Sequence, residues 1–132
     1  MHILVVDDSS TMRRILTRVL ARMGFPRTSE AANGKDALAR MTASPVDLVI
    51  VDWNMPGMSG PELTRAIRSS PATRDIPVLM VTANATSDEV QYARLAGVSG
   101  YVVKPFSGET LKQQIASVLR PPAAPDQPSP VR

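Results

Sequence analysis

Two short apolar runs end on acids, and that repetition restricts the fold more than any other feature of the chain. His2-Ile3-Leu4-Val5-Val6 leads into Asp7 and Asp8, and Asp47-Leu48-Val49-Ile50-Val51 leads into Asp52. Short aliphatic and β-branched runs, separated by stretches of helical periodicity, are the pattern of parallel strands joined by crossover helices. In an open sheet of that kind ligands bind outside the carboxyl ends of the strands, so both runs deliver carboxylates to the same region. At an effective dielectric near 20, like charges about 4 Å apart repel by about 4 kcal/mol. Three gathered carboxylates therefore need a counter-charge, which a divalent cation or a lysine supplies.

The rest of the chain continues the alternation. Ser9-Ser10-Thr11 offers helix caps, and Met12, Ile15, Leu16, Val19, Leu20 and Met23 recur at helical spacing up to Gly24. Thr28 to Ala32 reads as a short strand, and Asn33-Gly34 starts a helix with Ala37, Leu38 and Met41 on its buried face, closed by Pro45. After Asp52 the segment 53–60 is a loop rich in turn formers, and a third helix runs from about Pro61 to about Ser69. The fourth strand, from Ile76 to Val81, ends at Thr82; the helix from Ser87 to Ala96 stops at Gly97; and the fifth strand, Gly100 to Val103, ends at Lys104-Pro105. Ser107 caps a final helix carrying Leu111, Ile115, Val118 and Leu119 on one face. Five β-α units with right-handed crossovers result.

The 132 residues suffice for one core and not for two. No stretch approaches the roughly 20 apolar residues of a membrane span, and Met1 runs straight into a strand without a signal-peptide pattern, so the expected setting is the cytosol with no membrane partner. With no cysteine and a single histidine, His2, any metal here is held by oxygen, which favours Mg²⁺. The net charge of +3 does not point to nucleic acid, because the arginines are scattered and lack the interleaved aromatics on which bases stack. From Pro121 onward there are five prolines in twelve residues and almost nothing apolar. Residues 1–120 are thus expected to form the domain, with 121–132 a disordered or polyproline-like C-terminal extension in preference to a linker stub.

Four of the five strands end in a residue with useful chemistry: Asp7 and Asp8, Asp52, Thr82, and Lys104. Each has an ordinary reading on its own. Asp7 or Asp8 can be a helix cap, Thr82 a strand-end hydroxyl bonded to backbone, Lys104 a solvated lysine. Together they make a carboxylate nucleophile, metal-site acids, a hydroxyl donor and a cation, the groups required to receive and hold a phosphoryl group.

These same residues carry a family likeness. Asp7-Asp8, Asp52 with Met55-Pro56-Gly57, Thr82-Ala83 and Lys104-Pro105-Phe106 resemble the signature of response-regulator receiver domains, over roughly residues 1 to 120. More narrowly, residues 5–15, 52–56, 78–83 and 100–106 are similar to the single-domain chemotaxis receivers of the CheY family. The resemblance implies a flavodoxin-like (βα)5 fold of the α/β class, a doubly wound five-stranded parallel sheet of strand order 2-1-3-4-5 with helices on both faces. It implies that Asp52 is the phosphoacceptor for a histidine kinase of the chemotaxis type. Mg²⁺ would sit on Asp8 and Asp52, with Asp7 acting largely through water and the backbone carbonyl of Asn54 completing the protein ligands. Lys104, after a cis Lys104–Pro105 bond, would contact a phosphoryl oxygen, and Thr82 would swing to donate to another, so that Tyr101 turns inward. Asn54 and Asn84 stand where receivers tune the attacking water, and Trp53 where fluorescence reports the site.

The face expected to change comprises the fourth helix, fifth strand and fifth helix, with Ala85, Val90, Arg94, Tyr101, Val103, Phe106 and Gln114 as contacts. By the resemblance its partners are the kinase, the flagellar motor switch protein and a phosphatase. Thr86, Ser87 and Gln114 depart from the lysines common there in the family. Such a chain is a switch more than an enzyme. The competing readings are a stand-alone receiver serving as phosphorelay intermediate or phosphate sink, and a Mg²⁺-dependent phosphohydrolase. The last lacks its Asp-x-Asp, and neither the phosphate-loop pattern nor G-x-G-x-x-G is present.

Overall fold

In a computed structural model the chain is described over residues 1–83 and 86–119. Strands β1 (Ile3–Val6), β2 (Thr28–Ala31), β3 (Leu48–Asp52), β4 (Val78–Thr82) and β5 (Gly100–Val103) alternate with helices α1 (Ser10–Arg22), α2 (Gly34–Ala43), α3 (Gly60–Ser69), α4 (Ser87–Ala96) and α5 (Gly108–Val118). All strand pairs are parallel and the order is β2-β1-β3-β4-β5. This is the doubly wound α/β arrangement expected, with strand boundaries within a residue or two of those read from the sequence.

The near-continuous apolar character of β1, β3 and β4 follows from burial on both faces. Leu4, Val6, Val49, Val51, Val78 and Met80 pack toward Ala37 and Met41 of α2 and Leu63 and Ile67 of α3. Ile3, Val5, Leu48, Ile50, Leu79, Val81 and Val102 pack toward Leu16 and Leu20 of α1 and Leu111 and Ile115 of α5. Of the expected helix-face residues, Met12, Val19, Met23, Leu38, Val118 and Leu119 are half-buried against the core, and Ile15 is 47% exposed because the stripe of α1 centres on Leu16 and Leu20.

Helix starts are set by side-chain caps. Ser9, Asn33, Ser59, Thr86 and Ser107 each accept a bond from the backbone N–H three residues on; removing such a cap costs about 1 kcal/mol. At α3 the cap is reciprocal, since the Glu62 carboxylate accepts from Ser59 N–H, which holds its pKa below the usual range. Gly97 ends α4 with φ of 103°, a conformation that favours glycine.

His2, which cannot build an imidazole metal site, has a structural role at the amino-terminal edge of the sheet. Its ring nitrogens lie 2.6 Å from the Pro45 carbonyl oxygen and 2.6 Å from Ser29 Oγ, and its backbone N–H donates to Asp47 Oδ2 at 2.7 Å.

At the opposite edge Gly60 allows α3 to approach β3. A Cβ there would stand 2.6 Å from the Asp52 carbonyl oxygen and 2.6 Å from Met80 Sδ. Gly60→Ala is expected to lower stability by about 1–3 kcal/mol through overpacking, read as a reduced urea midpoint with unchanged m-value. An unchanged midpoint would show that this approach is not constrained by the glycine.

Candidate phosphoryl-transfer site

Register brings the acids together. Val6 pairs with Val51, so the residues that follow, Asp7 and Asp52, leave adjacent strands side by side. Asp52 pairs with Val81, and Thr82 with Val103, which places the Thr82 hydroxyl and Lys104 on the same rim. Carboxylate oxygens of Asp7, Asp8 and Asp52 lie within 4.8 Å of one another. Asp7 is 3% and Asp52 8% exposed, whereas Asp8 is open to solvent.

Lys104 Nζ donates to Asp52 Oδ1 at 2.9 Å. It is carried there by the bond from Lys104 N–H to the Thr82 carbonyl at 2.7 Å, and the Lys104–Pro105 peptide is cis, as expected. Asp7 Oδ1 accepts the Ser9 backbone N–H at 2.9 Å. Burial pushes the Asp7 carboxyl above its ordinary range; the Ser9 bond opposes this, the Asp52 charge adds to it, Lys104 opposes it and Asp8 adds again. One ammonium thus faces three carboxylates, and negative charge remains uncompensated at the rim. The all-oxygen donor set suits a hard divalent cation. Asp8 and Asn54 also line an open cleft of about 320 Å³ with Met55, Pro56 and Ser59, so the Asn54 segment borders the acids.

Thr82 is buried, and a small cavity beside it is bordered by Trp53, Met80, Val90, Ala93 and Tyr101. Tyr101 is 38% exposed and alternates with inward-facing Val102, so Tyr101 and Val103 share the α4 side of β5. Tyr101 lines a shallow groove with Val90 and Arg94, and Gln114 flanks Gly100. Phe106 is a correction. It packs instead on the α1–α5 layer and borders a groove with Met12, Ile15 and Val19, on the side of the sheet that Val102 faces and not the side of Tyr101 and Val103. Ala85 and Asn84, like the tail from residue 120, lie outside the described residues.

A family model for the response regulator receiver domain matches residues 3–116. The chain belongs to the response-regulator receiver family. It is 48% identical over 119 residues to the chemotaxis protein CheY of Pseudomonas aeruginosa, covering 90% of this chain and 96% of that one. The crystal structure of CheY4 from Vibrio cholerae superposes with a TM-score of 0.84 at 35% identity, covering 89% and 98% of the two chains. The receiver domain of a Pseudomonas aeruginosa sensor histidine kinase, solved with magnesium ion coordinated in its active site cleft, has a TM-score of 0.79 at 26% identity over 89% and 96%. The chain is therefore a receiver of CheY type, a phosphorylation-activated signalling module.

Sequence reading missed Arg13, which it grouped with scattered surface arginines. Its Nη1 donates to the Asp7 carbonyl at 2.6 Å and its Nε to Glu30 at 2.9 Å, tying α1 and β2 to the acidic rim. Only its position one turn after the Asp-Asp pair hinted at this.

A raised Asp7 pKa has a defined sign. The folded state holds the proton more tightly than the unfolded state, so stability falls as pH rises through the window above 3.8 up to the raised value. Asp7→Asn, which retains an acceptor for Ser9 N–H, should raise the melting temperature of the metal-free protein at neutral pH. The gain should shrink as pH falls to the ordinary carboxyl range. A gain that does not depend on pH would contradict this origin.

Proposed function

We propose that this receiver is a cytoplasmic chemotaxis switch: Asp52 accepts a phosphoryl group from a histidine kinase, and the changed α4–β5–α5 face binds the flagellar motor switch. The observation that carries this reading is the Asp52 carboxylate, buried beside Asp7 and Asp8 and bonded to Lys104 at 2.9 Å. The CheY relatives supply the physiological direction. Residues 1–120 constitute the receiver unit in this reading, with 121–132 as an appended tail.

The chemistry divides among the chain's own groups. A carboxylate oxygen of Asp52 attacks phosphorus; the new P–O bond forms as the P–N bond to the donor imidazole breaks, and the imidazole nitrogen leaves with the electron pair. Lys104 holds the nucleophile in place beforehand and afterwards pairs with a phosphoryl oxygen. The Thr82 hydroxyl donates to another. Asp7, Asp8 and Asp52, with the Asn54 carbonyl, would hold Mg²⁺, which when bound neutralises charge on the transferring oxygens. Hydrolysis of the acyl phosphate by water resets the switch, with a phosphatase as an accelerating partner.

The phosphoryl group on Asp52 carries roughly −1.5 to −2 charge, in place of the single charge of the carboxylate. Drawing Thr82 toward that charge opens the adjoining cavity to the Tyr101 ring, which the small side chain of Ala93 and the edge position of β5 permit. Val90, Arg94, Val103 and Gln114 then form the surface that distinguishes the two states, without Phe106. Reversing a 1:99 equilibrium takes about 5.5 kcal/mol of differential interaction, the order of a few charge-assisted hydrogen bonds.

Asp52→Asn should abolish acid-labile labelling by a phospho-kinase or a small phosphodonor while leaving circular dichroism unchanged; undiminished labelling would move the nucleophile elsewhere. Titration with a fluorescent motor-switch peptide in Mg²⁺ should tighten at least tenfold on adding beryllofluoride, about 1.4 kcal/mol of coupling. If beryllofluoride binds and the peptide is ignored, the output belongs to another pathway, as a relay intermediate or phosphate sink.

A further inference from the structure

Helix α4 is seated on the sheet by small side chains. Only Ala93 and Ala96 are buried, whereas neighbouring α3 buries Leu63, Thr64 and Ile67. What holds α4 laterally comes from α3. Arg68 Nε donates to the Gly97 carbonyl at 3.0 Å, and its other nitrogens reach the carbonyls of Arg74 and Ile76 and Ser99 Oγ, fixing the carboxyl end of α4. One turn earlier on α3, Arg65 Nη1 donates to the Tyr92 hydroxyl oxygen at 3.3 Å, with the guanidinium carbon 5.0 Å from the Tyr92 ring centroid.

Tyr92 has a second ring neighbour. Its centroid is 6.0 Å from that of Trp53, with the planes tilted by 38°. Trp53 directly follows Asp52, and its backbone is tied on both sides: its N–H donates to the Val81 carbonyl at 2.9 Å and its carbonyl accepts from Gly60 N–H at 2.8 Å. Its ring is half-buried against the α2–α3 core. Besides the small cavity it borders near Thr82, the ring has the Tyr92 ring as its aromatic neighbour on α4, so a displacement of Trp53 bears on Tyr92.

We propose that the Trp53–Tyr92–Arg65 stack is a transmitting contact from the Asp52 strand end to α4, separate from Thr82 and Tyr101, in which Tyr92 is a positioning residue. The proposal rests on Asp52 as the phosphoryl site. New charge and bulk at Asp52 act on the residue bonded to it. The stack passes that displacement to the middle of α4, while Arg68 keeps the far end of the helix fixed.

The test uses the full chain with Mg²⁺ and beryllofluoride as probe, its binding measured by calorimetry, and amide hydrogen exchange of α4 as the readout. In the wild type the probe should change protection across residues 90–96. Tyr92 is 43% exposed, so Tyr92→Ala should fold normally. It should bind the probe as the wild type does yet lose at least about half of the probe-linked change in α4. Tyr92→Phe, which keeps the ring pair, should behave as the wild type, and so should Leu95→Ala on the exposed side of the same helix. Equal binding with an undiminished α4 response in Tyr92→Ala overturns the transmitting role and leaves the phosphoacceptor assignment standing. Absence of calorimetric binding in the wild type overturns that assignment, and the proposal with it.

Discussion

Electrostatic repulsion among three carboxylates, two of them buried, is the constraint around which the carboxyl edge of the sheet is built. Parallel pairing puts Asp7 and Asp52 on adjacent strands, and Asp8 follows at the solvent boundary. One ammonium, Lys104, answers Asp52 directly and leaves net negative charge at the rim. The Ser9 N–H bond to Asp7 and the Arg13 bond to the Asp7 carbonyl keep the first acid in place despite its burial. A fold arranged only for stability gains little from such a cluster, since buried ionic groups recover at best their desolvation cost. On the proposed reading, its value is as a receptor for positive charge and for a group that can be added and removed.

Much of this was legible in order along the chain. Strand ends are the most readable positions of a doubly wound fold, because the apolar run stops there and polar residues interrupt it. Asp7, Asp8, Asp52, Thr82 and Lys104 were all placed by that reading, and the caps at Ser9 and Ser107 needed only local geometry. Strand order did not come from periodicity. It entered through family likeness, since five similar apolar runs do not state which neighbours which.

Contacts between elements distant in sequence were the unreadable part. Ile15 continues the helical spacing of α1, yet the buried stripe centres on Leu16 and Leu20 and leaves Ile15 exposed beside Phe106, and Phe106 follows a strand whose alternate residues face the other way. Arg13, Arg65 and Arg68 look alike in sequence; one braces the acidic rim, one lies against Tyr92, and one caps the end of α4. A long flexible cation declares its role only when its acceptors are in space.

The placement of His2 has a consequence for how the molecule tolerates its own chemistry. Ser29, Pro45 and Asp47 converge on His2 at the amino-terminal edge, one strand length from the acids. At about 3.3 Å per residue that separation is roughly 16 Å, about twice the screening length of physiological salt. Charge gained or lost at the rim is therefore weakly felt at the opposite edge through solvent. The sheet is fastened at one end and, on the proposed reading, reactive at the other, so a cycle of charging and discharging need not loosen the fastening.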